Sequence, residues 1–151
     1  MGKFATGVCV VSYVLDGAPA GLTANAFVSV SLDPPLVLVS VRNQSRFLAA
    51  VSVGDRYAVN VLADHQDGVS DHFGGRSKGA ASCAFLERHG APVIEDYLAL
   101  IVARVVDLHV AGDHTLVIGQ VEHLEERLAP PLIYFAGRYE RIGVGADDAR
   151  R

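Results

Sequence analysis

The feature that most constrains this chain is a pair of long apolar runs joined by a two-residue break. Leu98 to Val110 carries apolar side chains at Leu98, Leu100, Val102, Val106, Leu108 and Val110, with Arg104 the exception in that series. Gly112-Asp113 follows, a pair suited to a tight turn, and His114 to Leu124 then runs back. Successive side chains of a strand point to opposite faces, so the first run reads as a strand with one apolar face. The second run is its antiparallel partner. A hairpin of this length needs a broad sheet to bury it.

The remainder of the chain supplies one. Val8 to Leu15 is rich in β-branched residues and stops at Asp16-Gly17, a turn signal. Ala20 to Leu32 reads as a second strand, Leu36 to Val41 after Pro34-Pro35 as a third, and Tyr57 to Leu62 as another. Pro130-Pro131 introduces a last short strand, Leu132 to Phe135. Helical signals are few. Ser45 is placed to cap a helix over Arg46 to Val53, with Phe47, Leu48 and Val51 on one side, ended by Gly54-Asp55. Asp64 to Phe73 has weak helical periodicity through Val69, His72 and Phe73. Roughly six or seven strands without regular strand-helix alternation exclude a doubly wound sheet and favour a closed or partly open antiparallel barrel.

The chain has 151 residues, the length of one domain with a real core, and a single domain over 1–151 is expected, with its core at 3–142 and a flexible polar tail at 143–151. Lys and Arg number 13 against 17 Asp and Glu, which argues against nucleic acid as the main partner. No stretch has the apolar length of a membrane span, and the short apolar run at the N-terminus is too brief for a signal peptide. A cytoplasmic protein is expected. Cys9 and Cys83 suggest neither a disulfide framework nor a metal site, and Cys9 reads as a small core residue.

The six histidines have no metal-ligand spacing, there is no GxSxG elbow, and Glu125-Glu126 and Asp147-Asp148 read as solvated surface. This absence of acid-base machinery fits a reaction in which a cofactor supplies the electronics and the protein supplies position. No GxGxxG follows the first strand, so a Rossmann dinucleotide site has no support. Gly74-Gly75-Arg76-Ser77-Lys78-Gly79 lacks the order of a phosphate loop of nucleotide hydrolases, although its cations suit a ligand phosphate.

One stretch concentrates small polar side chains: Gly21 to Pro35, GLTANAFVSVSLDPP. Thr23, Asn25, Ser29 and Ser31, joined by Ser40 after the prolines, need partners if buried. Ser29 and Ser31 alternate with Val28, Val30 and Leu32 and are expected on one face of a strand. Backbone neighbours satisfy any one of these groups; a polar planar ligand lying against the strand accounts for the set.

The extended motif GLTANAFVSVSLDPPLVLVSV resembles the core of the flavin reductase-like family. Phe4-Ala-Thr-Gly-Val8, Gly112-Asp-His-Thr-Leu116 and Pro131-Leu-Ile-Tyr-Phe135, followed by Gly137 and Tyr139, are similar in the same order, so the resemblance spans about residues 4 to 142. It implies an antiparallel six- to seven-stranded split β-barrel of the FMN-binding, Greek-key type, mainly β with short helices. It also implies a homodimer whose second subunit helps build the site. The implied activity is hydride transfer from NADH or NADPH to FMN or FAD, with reduced flavin passed to a partner monooxygenase. A non-enzymatic FMN-binding or electron-transfer module, and a split-barrel oxidase acting on its own small substrate, are the alternatives.

By the same resemblance, Thr23, Ala24, Asn25 and Ser31 would line the flavin ring, and Ser40, Val41 and Arg42 would continue towards its ribityl chain. Ser45 and Arg46 would hold the phosphate, and Phe73 and Gly74, with Arg76, would contact the rest of the cofactor. His114 is the catalytic candidate on the nicotinamide side, and Tyr134, Phe135, Ala136 and Gly137 would bind that nucleotide from the other side. Family members usually carry a helical segment ahead of the Phe4-Ala-Thr-Gly motif; here Met1-Gly2-Lys3 stand there.

Overall fold

The computed structural model of the chain describes residues 1–76 and 83–143. The expected flexible tail beyond Gly143 and the Ser77-Lys78-Gly79 part of the glycine-rich segment lie outside them. Among the described residues, no helix is long and apolar enough to cross a membrane.

The backbone starts with β1 (Thr6–Gly7), β2 (Cys9–Leu15) and β3 (Ala18–Ala24). Asp16 at φ 51° and Gly17 at φ 78° make the two-residue turn between β2 and β3, the primed geometry that matches strand twist. β4 (Phe27–Leu32) and β5 (Pro35–Arg42) follow, then helix α1 (Arg46–Ala50) and β6 (Arg56–Val61). Helix α2 (Asp67–Phe73) precedes the hairpin of β7 (Phe85–Arg88) and β8 (Ala91–Ile94). The long expected hairpin is β9 (Ala99–Ala111) and β10 (His114–Glu126), with Gly112 at φ 65° in its turn. A short pair, β11 (Ile133–Phe135) and β12 (Arg138–Glu140), is the last among the described residues.

Seven strands form one antiparallel sheet in the order β3-β2-β6-β9-β10-β5-β4. Its inner face converges on a core of Val11, Tyr13, Val39, Phe47, Tyr57, Val59, Val105 and Val117, joined by Leu22 from one edge strand and Phe27 from the other. Laid flat, seven strands at about 4.8 Å spacing would hold their edges roughly 29 Å apart. One interior fed by both edges requires the sheet to curl. This is the antiparallel barrel that the sequence pattern anticipates, in the split form that the resemblance implies.

The expected run from Ala20 to Leu32 is two strands, parted at Asn25-Ala26, and a β-bulge interrupts β4 at Val30. Ser29 pairs with Val37, whereas Ser31 pairs with Leu36. Neighbouring positions of β5 face opposite ways, so the bulge turns the two serines to opposite faces, against the expectation of a shared one. Both helices are shorter than their signals. Val51 is already extended (φ −118°, ψ 145°), and Ser52 N–H donates to Asp55 Oδ2 (2.9 Å), so a turn replaces the end of α1. Before α2, Gln66 Oε1 accepts from Ala63 N–H (2.9 Å) while its amide donates to the Asp96 carbonyl (2.9 Å), which diverts 64–66 from helix.

β9 is buried on both sides over its first half. Ile101, Ala103 and Val105 enter the barrel, while Leu100 and Val102 are covered by Ala91 and Val93 of β8. Past that cover, Val106 and Val110 are exposed. A fully buried polar knot fixes the cover. Asn60 on β6 donates to the Val10 carbonyl (2.9 Å) and to Ser12 Oγ (2.8 Å) and accepts from Ile94 N–H (3.0 Å), and Ser12 Oγ donates to the Pro92 carbonyl (2.5 Å). Truncating one member strands several buried partners.

Asn60→Ala is expected to cost about 2–3 kcal/mol in denaturant unfolding, since a buried unpaired polar group costs about 1–3 kcal/mol. A change within about 0.5 kcal/mol, the ordinary range for surface substitutions, would show that the knot does not anchor the hairpin.

Candidate functional site

A cleft of about 730 Å³ opens where four backbone corners meet at one end of the barrel. The first corner is the break between β3 and β4, which brings Leu22, Thr23, Ala24, Asn25 and Ala26 to the cleft. The second is the exit of β5 into α1, with Ser40, Val41, Arg42, Gln44 and Ser45. Ser40 N–H donates to the Ala26 carbonyl (3.0 Å) and ties these two corners together. Ser40 and Arg42 share one face of β5, and the intervening Val41 is packed in the barrel core.

The third contribution is His114 at the start of β10. It pairs directly with Arg42 across the β10–β5 ladder, so imidazole and guanidinium are neighbours on one face. His114 Nδ1 lies 2.7 Å from Asp113 Oδ1, and this bond holds the exposed Asp113 carboxyl below the usual carboxylate range. Nε2 is left as the ring's other polar atom.

The fourth wall is the end of α2, Ser70, Phe73, Gly74 and Arg76, backed by Tyr134 of β11 and Tyr139 of β12, with Val8 between. Thr23 Oγ1 donates to the Ser70 carbonyl (2.6 Å), so its proton is spent on α2 and only its lone pairs remain for a ligand. Phe73 sits against Gly21, where a Cβ would come within 2.6 Å of the ring, and its other contacts include Phe85 (5.7 Å between ring centroids). The leading glycine of the GLTAN stretch is therefore there to admit an aromatic wall. Arg76 lies over the Tyr134 ring (5.7 Å) and donates to its hydroxyl (3.4 Å).

Ser45 Oγ accepts from Leu48 N–H (3.3 Å) as the cap of α1, which leaves its hydroxyl proton to donate elsewhere. Among the described residues, the side chains of Asn25, Ser40, Arg42 and Gln44 make no hydrogen bond within the chain. Polar groups that converge on a concavity without internal partners are what a ligand needs. Arg42 and Arg76 stand on different walls, so an anion entering from either side meets a cation.

The structure thus gathers Thr23, Ala24, Asn25, Ser40, Val41, Arg42, Ser45, Phe73, Gly74, Tyr134 and His114 around one volume. Five expected residues are elsewhere. Ser31 lies beyond the β4 bulge, paired with Leu36 at the other end of β5 from Ser40. Arg46 is exposed on α1, and its charge acts on Tyr13, partly offsetting the rise that burial causes in that phenol's pKa. Phe135 follows Tyr134 in a strand and so faces the opposite way, with the Lys3 ammonium 5.6 Å from its ring centre. Ala136 (φ 51°) and Gly137 (φ 83°) form the β11–β12 turn, where Ala136 N–H donates to the Gly2 carbonyl (2.7 Å). Sequence reasoning missed Val8, Leu22, Ala26, Gln44, Ser70 and Tyr139. Gln44 lay between two chosen residues, and Tyr139 stood in the resemblance itself. Nothing in the local sequence marks Ser70.

A family model described as Flavin reductase like domain matches residues 1–143. An NADH-dependent flavin reductase of a Rhodococcus species is 38% identical over 145 residues, covering 94% of this chain and 82% of its own length. The reductase component of 4-hydroxyphenylacetate 3-monooxygenase from Thermus thermophilus is 36% identical over 143 residues, covering 94% and 92%. Among solved structures, the flavin reductase PheA2 in its native state superposes with a TM-score of 0.91 at 45% identity, over 95% of this chain and 94% of its own.

Gly21→Ala probes the aromatic wall. The added methyl must displace the Phe73 ring, and overpacking of this kind is expected to lower stability by about 1–3 kcal/mol, with Phe73→Leu in the same background recovering part of it. Thermal unfolding of the single and double variants measures both, and wild-type stability in Gly21→Ala would mean the ring is not pinned there.

Proposed function

The chain belongs to the flavin reductase-like family, and from that membership and the cleft we propose that it carries hydride from a reduced nicotinamide nucleotide to a flavin. The reduced flavin then passes to a partner monooxygenase. The observation that carries this reading is the composition of the cleft: uncommitted polar side chains on two walls, an aromatic wall adjoining them, and a cation on each of two walls. A flat polar ring with an anionic tail suits that set of donors. The volume, about 730 Å³, lies in the range of about 300–1,000 Å³ usual for small-molecule sites.

In this reading Thr23, Ala24 and Asn25 take the flavin ring, Ala24 allowing close approach and Asn25 bonding the polar ring edge. Ser40 and Arg42 follow the side chain of the cofactor, and Ser45 donates its free hydroxyl proton to the phosphate. Gln44, between them, joins the same wall. Phe73 and Gly74 close the cofactor in from α2. Hydride transfer between stacked rings is chemistry that the bound flavin supplies, while the protein holds the two rings in near-attack geometry. His114 orients the nicotinamide side, its ring fixed through Nδ1 by Asp113. The co-substrate is NADH in the Rhodococcus relative, and NADH is the first choice here.

A homodimer fits the exposed edge of the sheet. On β4, Val28, Val30 and Leu32 are 53%, 48% and 90% exposed, apolar side chains on an edge strand, which proteins normally cover. An apolar groove of about 600 Å³ lined by Phe4, Phe27, Val28 and Leu38 runs from this edge to the cleft, sharing Asn25, Ala26 and Ser40 with it. A second copy seated there would complete the cleft's open side.

Mixing protein, flavin and NADH and following nicotinamide absorbance tests the activity; no flavin-dependent oxidation above background overturns it. His114→Ala is expected to raise the KM for NADH about tenfold while flavin Kd stays within about twofold. Equal losses in both would remove His114 from the nicotinamide side. Ser45→Asp keeps a good helix cap yet sets a carboxylate beside the phosphate position, so flavin Kd should rise about tenfold with α1 intact. Unchanged fluorescence titration would take Ser45 out of the site.

A further inference from the structure

We propose that Tyr139 is a positioning residue for the cleft: its phenol fixes where α2 holds Phe73, Gly74 and Arg76, and so sets the cleft's affinity for flavin. The identity of the ligand rests on the reading above; the positioning role does not. Tyr139 lies on β12, in the small sheet of β1, β11 and β12, separate from the main sheet that carries β3. α2 stands between the two.

The helix is weakly held by its own sequence. It has seven residues, its cap residue Gln66 makes no side-chain cap bond, and Ser70 is its one buried residue. Val69 and Phe73 supply the apolar anchorage. Hydrogen bonds from both sheets converge on a single turn of it. Thr23 Oγ1 reaches the Ser70 carbonyl from β3. From β12, the Tyr139 hydroxyl bonds Ser70 Oγ (2.8 Å) and donates to Asp71 Oδ1 (2.8 Å). Burial raises the phenol's pKa, which keeps this donor protonated.

Two contacts pass that anchor on to the cleft wall. The Asp71 carbonyl accepts from Arg76 N–H (2.9 Å), so the backbone at Arg76 follows Asp71. Tyr139 also packs edge-on against Tyr134 (5.9 Å), the aromatic ring that Arg76 covers. Without the hydroxyl, α2 keeps its tie to β3 and loses its registry with the small sheet. The cleft wall then samples positions in which Phe73 and Arg76 no longer meet the ligand together.

Tyr139→Phe keeps the ring and removes only the hydroxyl. Two readouts are needed: hydrogen exchange of the α2 amides in the ligand-free protein, and FMN affinity by fluorescence titration. Faster exchange in α2 is expected, with FMN Kd raised roughly three- to tenfold, the scale of one hydrogen bond. Asp71→Ala should do the same, and the double variant should be no worse than the more severe single one, because both remove one interaction. Unchanged α2 exchange, or effects on Kd that simply multiply in the double variant, would overturn the proposal. Accelerated α2 exchange in Tyr139→Phe alongside a wild type that binds neither FMN nor FAD would leave the positioning role standing and sink the flavin reading.

Discussion

Phe47 is the side chain on which this fold turns. Fully buried, it meets Tyr13 and Tyr57 with ring centroids 5.0 and 5.5 Å away, filling the interior around which the sheet curls. A helix of five residues has no stability of its own in water, so α1 exists because burying such a ring returns about 1.5–3 kcal/mol. Gly119 belongs to the same packing problem. A Cβ there would lie 2.3 Å from the Tyr57 hydroxyl, which is buried with no hydrogen-bond partner among the described residues. An unpaired donor costs about 1–3 kcal/mol, a cost the surrounding aromatic packing offsets.

Docking α1 has a consequence at the surface. The chain must turn between β5 and the helix, and that turn presents Arg42, Gln44 and Ser45 to the cleft. Function here is a by-product of corners. Most of the cleft's polar groups stand where the chain leaves one element for the next, because strand interiors have their polar backbone paired and their side chains packed. The contrast with Asn60 and Ser12 is instructive. Those polar groups are buried and fully paired, so they hold the β7–β8 cover and offer nothing to a ligand; Asn25, Ser40 and Arg42 are the reverse.

Much of this was legible in the residues. Asp16-Gly17 and Gly112-Asp113 marked their turns, Ser45 marked the start of α1, and the lack of strand-helix alternation pointed to an antiparallel barrel. Through the resemblance, most of the cleft could be named before any coordinates. Other residues that the resemblance implies lie away from this cleft. A bulge at Val30 turns Ser31 aside, and the alternation of β11 does the same to Phe135. Arg46, one step past the cap of α1, is exposed and does not line the cleft.

Local pattern therefore settled most of the main-sheet strands, the tight turns, the barrel class and the place of the polar stretch, though not the β7–β8 hairpin, since these depend on side-chain periodicity and backbone preferences within a few residues. The tertiary structure alone decided which polar groups remain without partners, that Gly21 makes room for Phe73, and that Tyr139 and Ser70 belong to the same wall. Those facts are distances between segments 47 to 69 residues apart in the chain. Nothing in a local window encodes such distances; they are set only when the sheet closes around its core.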